Sequence, residues 1–276
     1  MSVRARPFLK WSGGKTQLLP ELLKRVPEKY GAYHEPFVGA GALFFALQPE
    51  VAWLGDANGE LILTWKVIQR WTAELIAELK KPEYANTAEA FYEMRARNYF
   101  SFDSEHVTHA EIAARTIYLN KTCFNGLYRV NSKGQFNAPF GKFRNPTICD
   151  EANLCAVAAV LHNGIVINQE GFEAVETRAQ EGDFVYFDPP YVPLSPTSNF
   201  TAYTPGGFGL GEHTALRDLA ARLKARGVHV LLSNSGSPLV EELYGSSGFT
   251  LEPVMARRNI NSVGTARGAI KEYLIR

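Results

Sequence analysis

Residues 32–56 read AYHEPFVGAGALFFALQPEVAWLGD, and this stretch decides the fold. Residues 32–35 predict a strand that leads into a glycine turn, and residues 42–47 predict a helix. Residues 51–55 form a second short apolar run, which ends at Asp56. This order suits a nucleoside held over the turn, with its ribose hydroxyls bonded to the carboxylate. The alternative is a plain turn between a strand and a helix, in which the glycines only permit close packing.

The rest of the chain alternates between helical and strand periodicity. Helices are predicted at residues 60–80, 87–99, 109–121, 151–161 and 213–226, and further strands at residues 165–168, 184–187, 228–233, 250–253 and 270–275. The pattern predicts an α/β protein with a parallel sheet, interrupted by a mostly helical insertion from about residue 59 to about residue 145. Ligands of such sheets lie at the carboxyl ends of the strands, where Asp56, Asp188, Ser233 and Asn234 fall.

Composition excludes several classes of protein. The chain has 276 residues, of which 46% are hydrophobic and 21% charged, so it can bury a large core and is not a low-complexity sequence. Its formal net charge of +1 neither requires nor excludes nucleic acid. The three cysteines form no C-x-x-C pair, so we expect reduced thiols and no metal site. The N-terminus lacks a secretory stretch and no run approaches the roughly 18 apolar residues of a membrane span, so we expect a soluble, cytoplasmic protein.

Two glycine motifs resemble nucleotide-binding fingerprints without completing them. Gly13-Gly14-Lys15-Thr16 is similar to the end of a P-loop, but the position of the first P-loop glycine holds Leu9. Gly39-Ala40-Gly41 is similar to a dinucleotide fingerprint, but its third glycine position holds Phe44. Neither nucleoside triphosphate nor dinucleotide binding is therefore expected.

The motif Asp188-Pro189-Pro190-Tyr191 follows the predicted strand at residues 184–187. Its two prolines remove two backbone donors, which leaves carbonyl acceptors and one carboxylate beside an aromatic ring. An exocyclic amine such as N6 of adenine needs this environment, because two acceptors for its hydrogens favour a tetrahedral nitrogen whose lone pair can attack a methyl group. The alternative is a proline-stiffened turn in which Asp188 only caps the backbone.

Residues 121–145 hold five basic residues, five aromatic residues and no acid. Residues 127–130 and 135–138 predict a hairpin that turns at residues 132–134. Basic and aromatic side chains on a hairpin suit phosphate contacts, base reading and wedging into a base stack. A solvated charged surface over a small aromatic cluster is the alternative, and composition alone does not choose between the two.

The sequence resembles the Dam-type family of DNA adenine-N6 methyltransferases nearly end to end. The matching segments are FLKWSGGK at residues 8–15, EPFVGAG at 35–41, DAN at 56–58, the stretch from Leu119 to Gly141, DPPY at 188–191 and NFTAY at 199–203. Their order is similar to the alpha arrangement of amino-methyltransferases. The resemblance implies a seven-stranded Rossmann-like methyltransferase sheet with an inserted, mostly helical target-recognition domain that carries the hairpin. It implies a catalytic, cofactor-binding domain at residues 1–58 and 146–276 and a recognition domain at residues 59–145.

The resemblance also implies the site residues, with S-adenosylmethionine as the cofactor, S-adenosylhomocysteine as its product and no metal. Catalytic roles fall to Asp188, Pro189, Pro190 and Tyr191. Cofactor contacts fall to Trp11, Lys15, Glu35, Pro36, Phe37, Gly39, Gly41, Asp56, Gly171, Phe172 and Asp188. DNA contacts fall to Lys10, Phe124, Asn125, Leu127, Arg129, Asn131, Pro139, Lys142 and Phe143. Phe124 and Phe143 stand where the family often has tyrosine.

The implied activity is methylation of adenine N6 in double-stranded DNA, in the site GATC, by a monomeric enzyme that flips the target base. Residues 193–211 predict a loop that closes over the flipped base, and Arg257, Arg258 and Arg267 could add phosphate contacts. A methyltransferase acting on RNA or on protein glutamine is the nearest alternative, and a catalytically silent DNA-binding protein is another. The sequence leaves open a solitary enzyme or the partner of a restriction nuclease.

Overall fold

Seven strands form one sheet in the described part of the chain, as the sequence predicts. The structure is a computed structural model, and it describes residues 3–97, 107–193, 208–257 and 269–276. The strands are β1 Tyr33–Glu35, β2 Ala52–Asp56, β3 Ile165–Gln169, β4 Phe184–Phe187, β5 His229–Ser235, β6 Leu251–Arg257 and β7 Ala269–Ile275. Their order in the sheet is β3-β2-β1-β4-β5-β7-β6. The order reverses between β1 and β4, which makes the carboxyl ends of these two strands the expected place for a ligand.

The sheet is parallel at its centre and antiparallel at one edge. β1 pairs with β2 and β4, and β4 pairs with β5, all in parallel register. β7 runs antiparallel to both β5 and β6, so the prediction of a parallel sheet is wrong for this strand. A parallel connection needs a crossover, usually a helix, and the sequence between the last two predicted strands has no helical pattern. Every residue of β1 and β4 is buried, as expected for central strands that are covered on both faces.

Ten α-helices occur within the described residues. They are α1 Leu19–Leu23, α2 Ala42–Leu47, α3 Gly59–Arg70, α4 Thr72–Leu79, α5 Ala88–Ala96, α6 His109–Thr122, α7 Glu151–Val160, α8 Val175–Arg178, α9 Leu210–Ala225 and α10 Pro238–Gly245. None of these helices has the length and apolar character that a membrane crossing requires. Side-chain caps set several starts, since Asn58, Thr87 and Thr108 accept hydrogen bonds from the first turns of α3, α5 and α6.

Three helix predictions differ from the structure. The helix predicted at residues 213–226 begins three residues earlier, at Leu210. The helix predicted at residues 60–80 is interrupted at Trp71, whose backbone leaves the helical region at φ −137° and ψ 43°. The spacing of apolar residues stays helical on both sides, so periodicity does not register a single non-helical residue. The helix predicted at residues 87–99 ends at Ala96, and the last two residues of that prediction lie outside the described residues.

The predicted hairpin at residues 127–138 is present as two antiparallel segments that do not form regular strands. The N–H of Asn131 donates to the Gln135 carbonyl at 2.9 Å, and the N–H of Asn137 donates to the Arg129 carbonyl at 2.9 Å. Only isolated bridges form here among the described residues, between Val130 and Phe136 and between Cys123 and Phe140. The prediction of two strands is therefore wrong, although the turn and the pairing of the segments are present. An isolated two-stranded ladder is marginal in water. Tyr128, Phe136 and Ala138 are nevertheless buried, so packing of these side chains accompanies the pairing of the two segments.

The chain forms two compact units. Unit 1 comprises the N-terminal stretch to Gly14 together with Gly39–Gln48 and Asn58–Gln169, and unit 2 comprises Lys15–Val38, Pro49–Ala57 and Glu170–Arg276. Unit 1 is built on buried aromatic residues, among them Phe44, Trp65, Phe91 and Tyr118. Unit 2 has a core of aliphatic and aromatic residues contributed by β4, β5, β7, α8, α9 and α10. The division into catalytic and recognition domains is a division by role and stays a prediction.

Candidate active site

Asp188 follows the last residue of β4, and its carboxylate lies in a small polar cluster within unit 2. Lys15 Nζ is 2.6 Å from Asp188 Oδ1, and the Ser233 hydroxyl donates to the same oxygen at 2.7 Å. Ser233 lies on the neighbouring strand β5, and its hydroxyl is 3.0 Å from that of Tyr186. The structure therefore brings together Lys15 and Asp188, which the sequence analysis assigns to the site. Ser233 was predicted only to lie at a strand end, and Tyr186 was not predicted to take part.

Opposing effects act on the pKa of Asp188. Burial raises this pKa, while the charge of Lys15 and the hydrogen bonds from Lys15 and Ser233 lower it, and the net direction is upward. Only 8% of the Lys15 side chain and 17% of the Asp188 side chain are exposed. In water-poor surroundings a neighbouring cation is the strongest means of keeping a carboxylate ionised. The cluster therefore presents an anionic acceptor that depends on its partners.

Tyr191 is held at both ends of its side chain. Its ring centroid is 4.6 Å from Lys15 Nζ, and its hydroxyl donates to Glu272 Oε2 at 2.9 Å. The next residue is held as well, since the N–H of Val192 donates to Asn234 Oδ1 at 3.1 Å. Glu272 belongs to the antiparallel strand β7, and sequence analysis did not predict its contact with the motif. No sequence motif predicts the contact of Glu272 with Tyr191, because this contact depends on the pairing of strands that are far apart in sequence.

The side chains that the resemblance assigns to the cofactor in unit 2 include an aromatic wall. The rings of Phe37 and Phe172 stack with centroids 5.6 Å apart and planes at 22°. Phe208 packs against both rings, at 5.7 Å and 5.8 Å. Phe37 is half-buried and Phe172 is buried, so one ring of the pair keeps an accessible part. Gly171 is exposed and directly precedes the 3-10 turn that carries Phe172.

Two carboxylates of unit 2, Glu35 and Asp56, are the last residues of β1 and β2 and differ in their surroundings. Glu35 is 3% exposed and accepts a hydrogen bond from the Tyr33 hydroxyl at 2.9 Å. Asp56, at the end of β2, is half-buried, and its backbone carbonyl accepts from the N–H of Glu170 at 3.3 Å. Pro36 is buried directly after β1. Asp56 is therefore the better placed of the two acids for a hydroxyl-bearing ligand, and Glu35 is tied to the interior.

The remaining predicted cofactor residues, Trp11, Gly39 and Gly41, lie in unit 1. Gly39 has φ +48°, and a Cβ there would lie 3.0 Å from Trp11 Cδ1. Gly41 has φ +69°, and a Cβ there would lie 2.7 Å from the Trp65 ring. Both positions of this turn therefore require glycine, for the backbone conformation and for packing against the indole rings. This is the packing explanation that the sequence left open, and it is compatible with a ligand role for the same turn.

Lys10 is adjacent to the start of the predicted recognition segment. Asn120, which is 1% exposed, accepts from the N–H of Lys10 at 2.9 Å and donates to the Lys10 carbonyl at 2.7 Å. The same amide donates to the Gly126 carbonyl at 3.2 Å. Two stretches assigned to DNA contact are thereby joined through one buried side chain. Asn120 lies in one of the matching segments, and no sequence pattern signals this role.

The predicted DNA-contacting side chains include large apolar groups at the surface. Phe124 and Phe143 are 54% and 42% exposed, so part of each ring is accessible for stacking. Their neighbours Asn125 and Lys142 have φ of 58° and 54°, in the left-handed region that a lysine rarely adopts. Such backbone strain occurs often in binding segments, where it sets the direction of a side chain.

Arg129 is exposed, and its guanidinium is held within the hairpin. Its Nε donates to Asn137 Oδ1 at 2.7 Å and its Nη2 donates to the Asn137 carbonyl at 3.2 Å. Asn131 uses its side chain to build the turn, accepting from the N–H groups of Lys133 and Gln135. Leu127 is half-buried and Pro139 is exposed. The structure thus places the predicted DNA residues from Phe124 to Phe143 on one segment of unit 1, which Asn120 joins to Lys10, and Asn131 is already engaged in the turn.

Some predicted features lie outside the described residues. They comprise most of the loop predicted at residues 193–211, the matching segment at residues 199–203, Arg258 and Arg267, and for Arg257 the backbone alone is described.

Comparison with known proteins identifies the family. Residues 11–260 match the family described as D12 class N6 adenine-specific DNA methyltransferase. The type II methyltransferase M1.LlaDCHI of Lactococcus lactis subsp. cremoris is 42% identical over 274 residues, which cover 99% of this chain and 95% of that protein. The type II methyltransferase M.MjaIII of Methanocaldococcus jannaschii is 38% identical, over 99% of each chain. The DNA adenine methylase of Escherichia coli is 36% identical, over 98% of this chain and 94% of that protein. With its motifs matched over nearly its whole length, the chain belongs to the D12 class of N6 adenine-specific DNA methyltransferases.

Proposed function

We propose that this enzyme methylates adenine N6 in the double-stranded sequence GATC, with Asp188 and the Pro189 carbonyl accepting the two hydrogens of the target amine. The observation that carries the proposal is the carboxylate of Asp188 at the end of β4, held by Lys15 and Ser233. Acceptors fixed before the reaction stabilise the positive charge that develops on the nitrogen. The Tyr191 ring, which Glu272 holds through its hydroxyl, is the stacking surface for the base.

S-adenosylmethionine is the proposed cofactor, and when bound it supplies the electrophilic methyl group. The residues present in unit 2 fit the parts of this cofactor. Asp56 is a half-buried acceptor for the ribose hydroxyls of the cofactor, and the accessible part of Phe37 is an apolar surface for the adenine ring of the cofactor. Trp11 with the turn at Gly39 and Gly41 is proposed to contact the methionine part. The protein then contributes binding, orientation and electrostatics, while the cofactor carries the reactive group.

Base flipping is part of the proposal, because the amine of a stacked and paired adenine cannot reach Asp188. The exposed ring of Phe124 is a wedge that can replace the flipped base in the stack. The hairpin that follows carries Arg129, whose planar fork pairs with O6 and N7 of guanine in the major groove. Lys10, Leu127 and Pro139 are proposed to read the other outer positions of the site.

The direct test is to map methylated bases in long duplex DNA after incubation with the purified enzyme and S-adenosylmethionine. Methylation confined to the adenine of GATC supports the site, and methylation of adenine in another sequence overturns the GATC proposal while leaving the chemistry intact. An Asp188→Ala variant should lose at least about 10²-fold in rate, the scale of one oriented charge-stabilising group. Near-normal turnover by this variant would show that Asp188 is not the acceptor.

A further inference from the structure

The two oxygens of the Asp188 carboxylate have different surroundings. Lys15 Nζ and the Ser233 hydroxyl both contact Oδ1, at 2.6 Å and 2.7 Å. Both donors that the described residues present to the Asp188 carboxylate are on its Oδ1 side. One oxygen is therefore occupied by protein donors, and the other keeps its lone pairs for a ligand.

The position of Ser233 follows from the sheet. β4 and β5 pair in parallel register, with Phe187 opposite Leu232, so the residues that follow these two, Asp188 and Ser233, lie beside each other. Ser233 has no exposed surface, and Tyr186 is 1% exposed. The single proton of the Ser233 hydroxyl goes to the carboxylate, which can only accept while ionised. The Tyr186 hydroxyl, 3.0 Å away, therefore donates to Ser233, and the three groups form a directed chain toward Asp188.

We infer that Ser233 is a positioning residue for methyl transfer, which holds Oδ1 of Asp188 and leaves Oδ2 directed at the target amine. The inference rests on the proposed role of Asp188 as the amine acceptor. Rotation of a carboxylate about its last torsion is soft, so Lys15 alone does not determine which oxygen it binds. A second donor on the same oxygen removes that freedom. Donation from Tyr186 polarises the Ser233 hydroxyl and strengthens its bond to the carboxylate.

The hydrogen bonds from Tyr186 to Ser233 and from Ser233 to Asp188 should have a measurable effect on the ionisation of Asp188. Burial raises the pKa of Asp188, and Lys15 and Ser233 lower it. Tyr186 and Tyr191 are titratable phenols beside the cluster, and burial raises the pKa of both well above the ordinary value, so they stay neutral. The carboxylates of Glu35 and Glu272 act on these phenols. Loss of the Ser233 hydroxyl removes one of the interactions that lower the pKa of Asp188, and this pKa should rise.

The test compares Ser233→Ala with Ser235→Ala in single-turnover methyl transfer on a GATC duplex. Ser235 lies two residues further along β5, is 4% exposed, and its hydroxyl has no partner among the described residues, which makes it a matched control. Ser233→Ala should lower the rate about ten-fold, the scale of one hydrogen bond to a charged group. It should also shift the acidic limb of the pH–rate profile to higher pH, while the affinities for S-adenosylmethionine and DNA stay unchanged. Ser235→Ala should leave all four quantities at their wild-type values.

A double-mutant cycle separates positioning from a general structural effect. Tyr186→Phe should lower the rate less than Ser233→Ala does, and it should have no further effect when Ser233 is already alanine, because it acts through that hydroxyl. A wild-type rate and an unshifted acidic limb in Ser233→Ala would overturn the inference, and so would additive losses in the cycle. Asp188→Asn is measured in parallel. If this variant retains the wild-type rate, the proposed role of Asp188 fails. If Asp188→Asn loses most of the rate while Ser233→Ala keeps the wild-type rate, only the positioning role of Ser233 is refuted.

Discussion

Replacing Lys15 by methionine removes the cation beside Asp188 and keeps most of the buried volume. Both side chains are largely buried and only 2.6 Å separates Nζ from Oδ1. Removing one partner of such a pair costs about 3–5 kcal/mol if the other charge stays ionised. Protonation of Asp188 avoids that cost, and at 1.36 kcal/mol per pKa unit it requires about 4 kcal/mol at pH 7 from an ordinary aspartate pKa near 4. The two routes are similar in cost, so Lys15→Met should lower the free energy of unfolding by about 3–4 kcal/mol, with much of Asp188 protonated.

The same substitution should impair methyl transfer in a pH-dependent way. A protonated Asp188 cannot accept from the target amine as an anion, so the single-turnover rate near neutral pH should fall at least about 10²-fold. Burial already raises the pKa of Asp188 and Lys15 opposes it, so removal of Lys15 moves the pKa upward. The carboxylate form then becomes populated only at higher pH, and part of the lost rate should return as the pH is raised.

The assay is methyl transfer from labelled S-adenosylmethionine to a GATC duplex, at saturating cofactor, together with urea unfolding. Lys24→Met is the matched control, since Lys24 is 67% exposed and pairs with Glu21 only at the surface. It should change neither rate nor pH profile, because exposed pairs contribute little. The double variant Lys15→Met/Asp188→Asn should be more stable than Lys15→Met, since no charge is left buried alone. A Lys15→Met enzyme with wild-type rate and an unshifted acidic limb would refute the reasoning.

Three further predictions concern recognition, stability and packing. Arg129→Ala should relax the preference for one outer guanine by about 1–3 kcal/mol and keep the adenine requirement, measured as rates on duplexes with single substitutions, and unchanged selectivity would exclude its role. Asp183→Ala should destabilise the protein in urea by at least about 3 kcal/mol, because this carboxylate accepts from Ala32 N, Gln180 N and the buried His34. Burial raises the pKa of Asp183, but these hydrogen bonds outweigh burial, and the net pKa is lowered. The difference in unfolding free energy between wild type and variant should therefore be complete above the unfolded-state pKa, and it should disappear as the pH falls through the folded-state pKa. Equal stability of the two proteins at neutral pH would contradict this. Gly41→Ala should lower the free energy of unfolding by about 2–4 kcal/mol, because φ is positive there and a Cβ would meet the Trp65 ring. Gly211→Ala is the control and should not destabilise the protein, because a Cβ at that position of α9 meets open space. Similar melting temperatures of the two variants would argue against a packing role for Gly41.

Local sequence was sufficient where neighbouring residues carry the whole signal. The strand at Phe184–Phe187 was predicted with its exact bounds, because four apolar residues are bounded by Asp183 and by Asp188 with its prolines. The glycine turn was predicted from spacing alone, and the structure adds why it tolerates only glycine: Trp11 and Trp65 occupy the space of a side chain. The break at Trp71 was not predictable, since the apolar stripes of α3 and α4 remain in helical phase.

Non-local pairing accounts for the predictions that failed or were not made. A strand pattern reports burial on its faces and carries no information on direction, so β7 was predicted as one more strand of a parallel sheet. The same pairing brings Glu272 to Tyr191, across a sequence separation of 81 residues. Asn120 joins Lys10 to Gly126 across a separation of 110 residues, and no spacing rule reaches that far.

The sequence by itself determined the family, the seven strands and the place of the Asp188 turn at a strand end, because motifs and periodicity are properties of adjacent residues. Only the tertiary structure decided which side chains surround that turn. The register of β4 against β5 places Ser233 at Asp188, and the antiparallel β7 places Glu272 at Tyr191. Sheet register depends on the burial of all strands together, so the groups that surround Asp188 and act on its ionisation come together only when the whole sheet has formed.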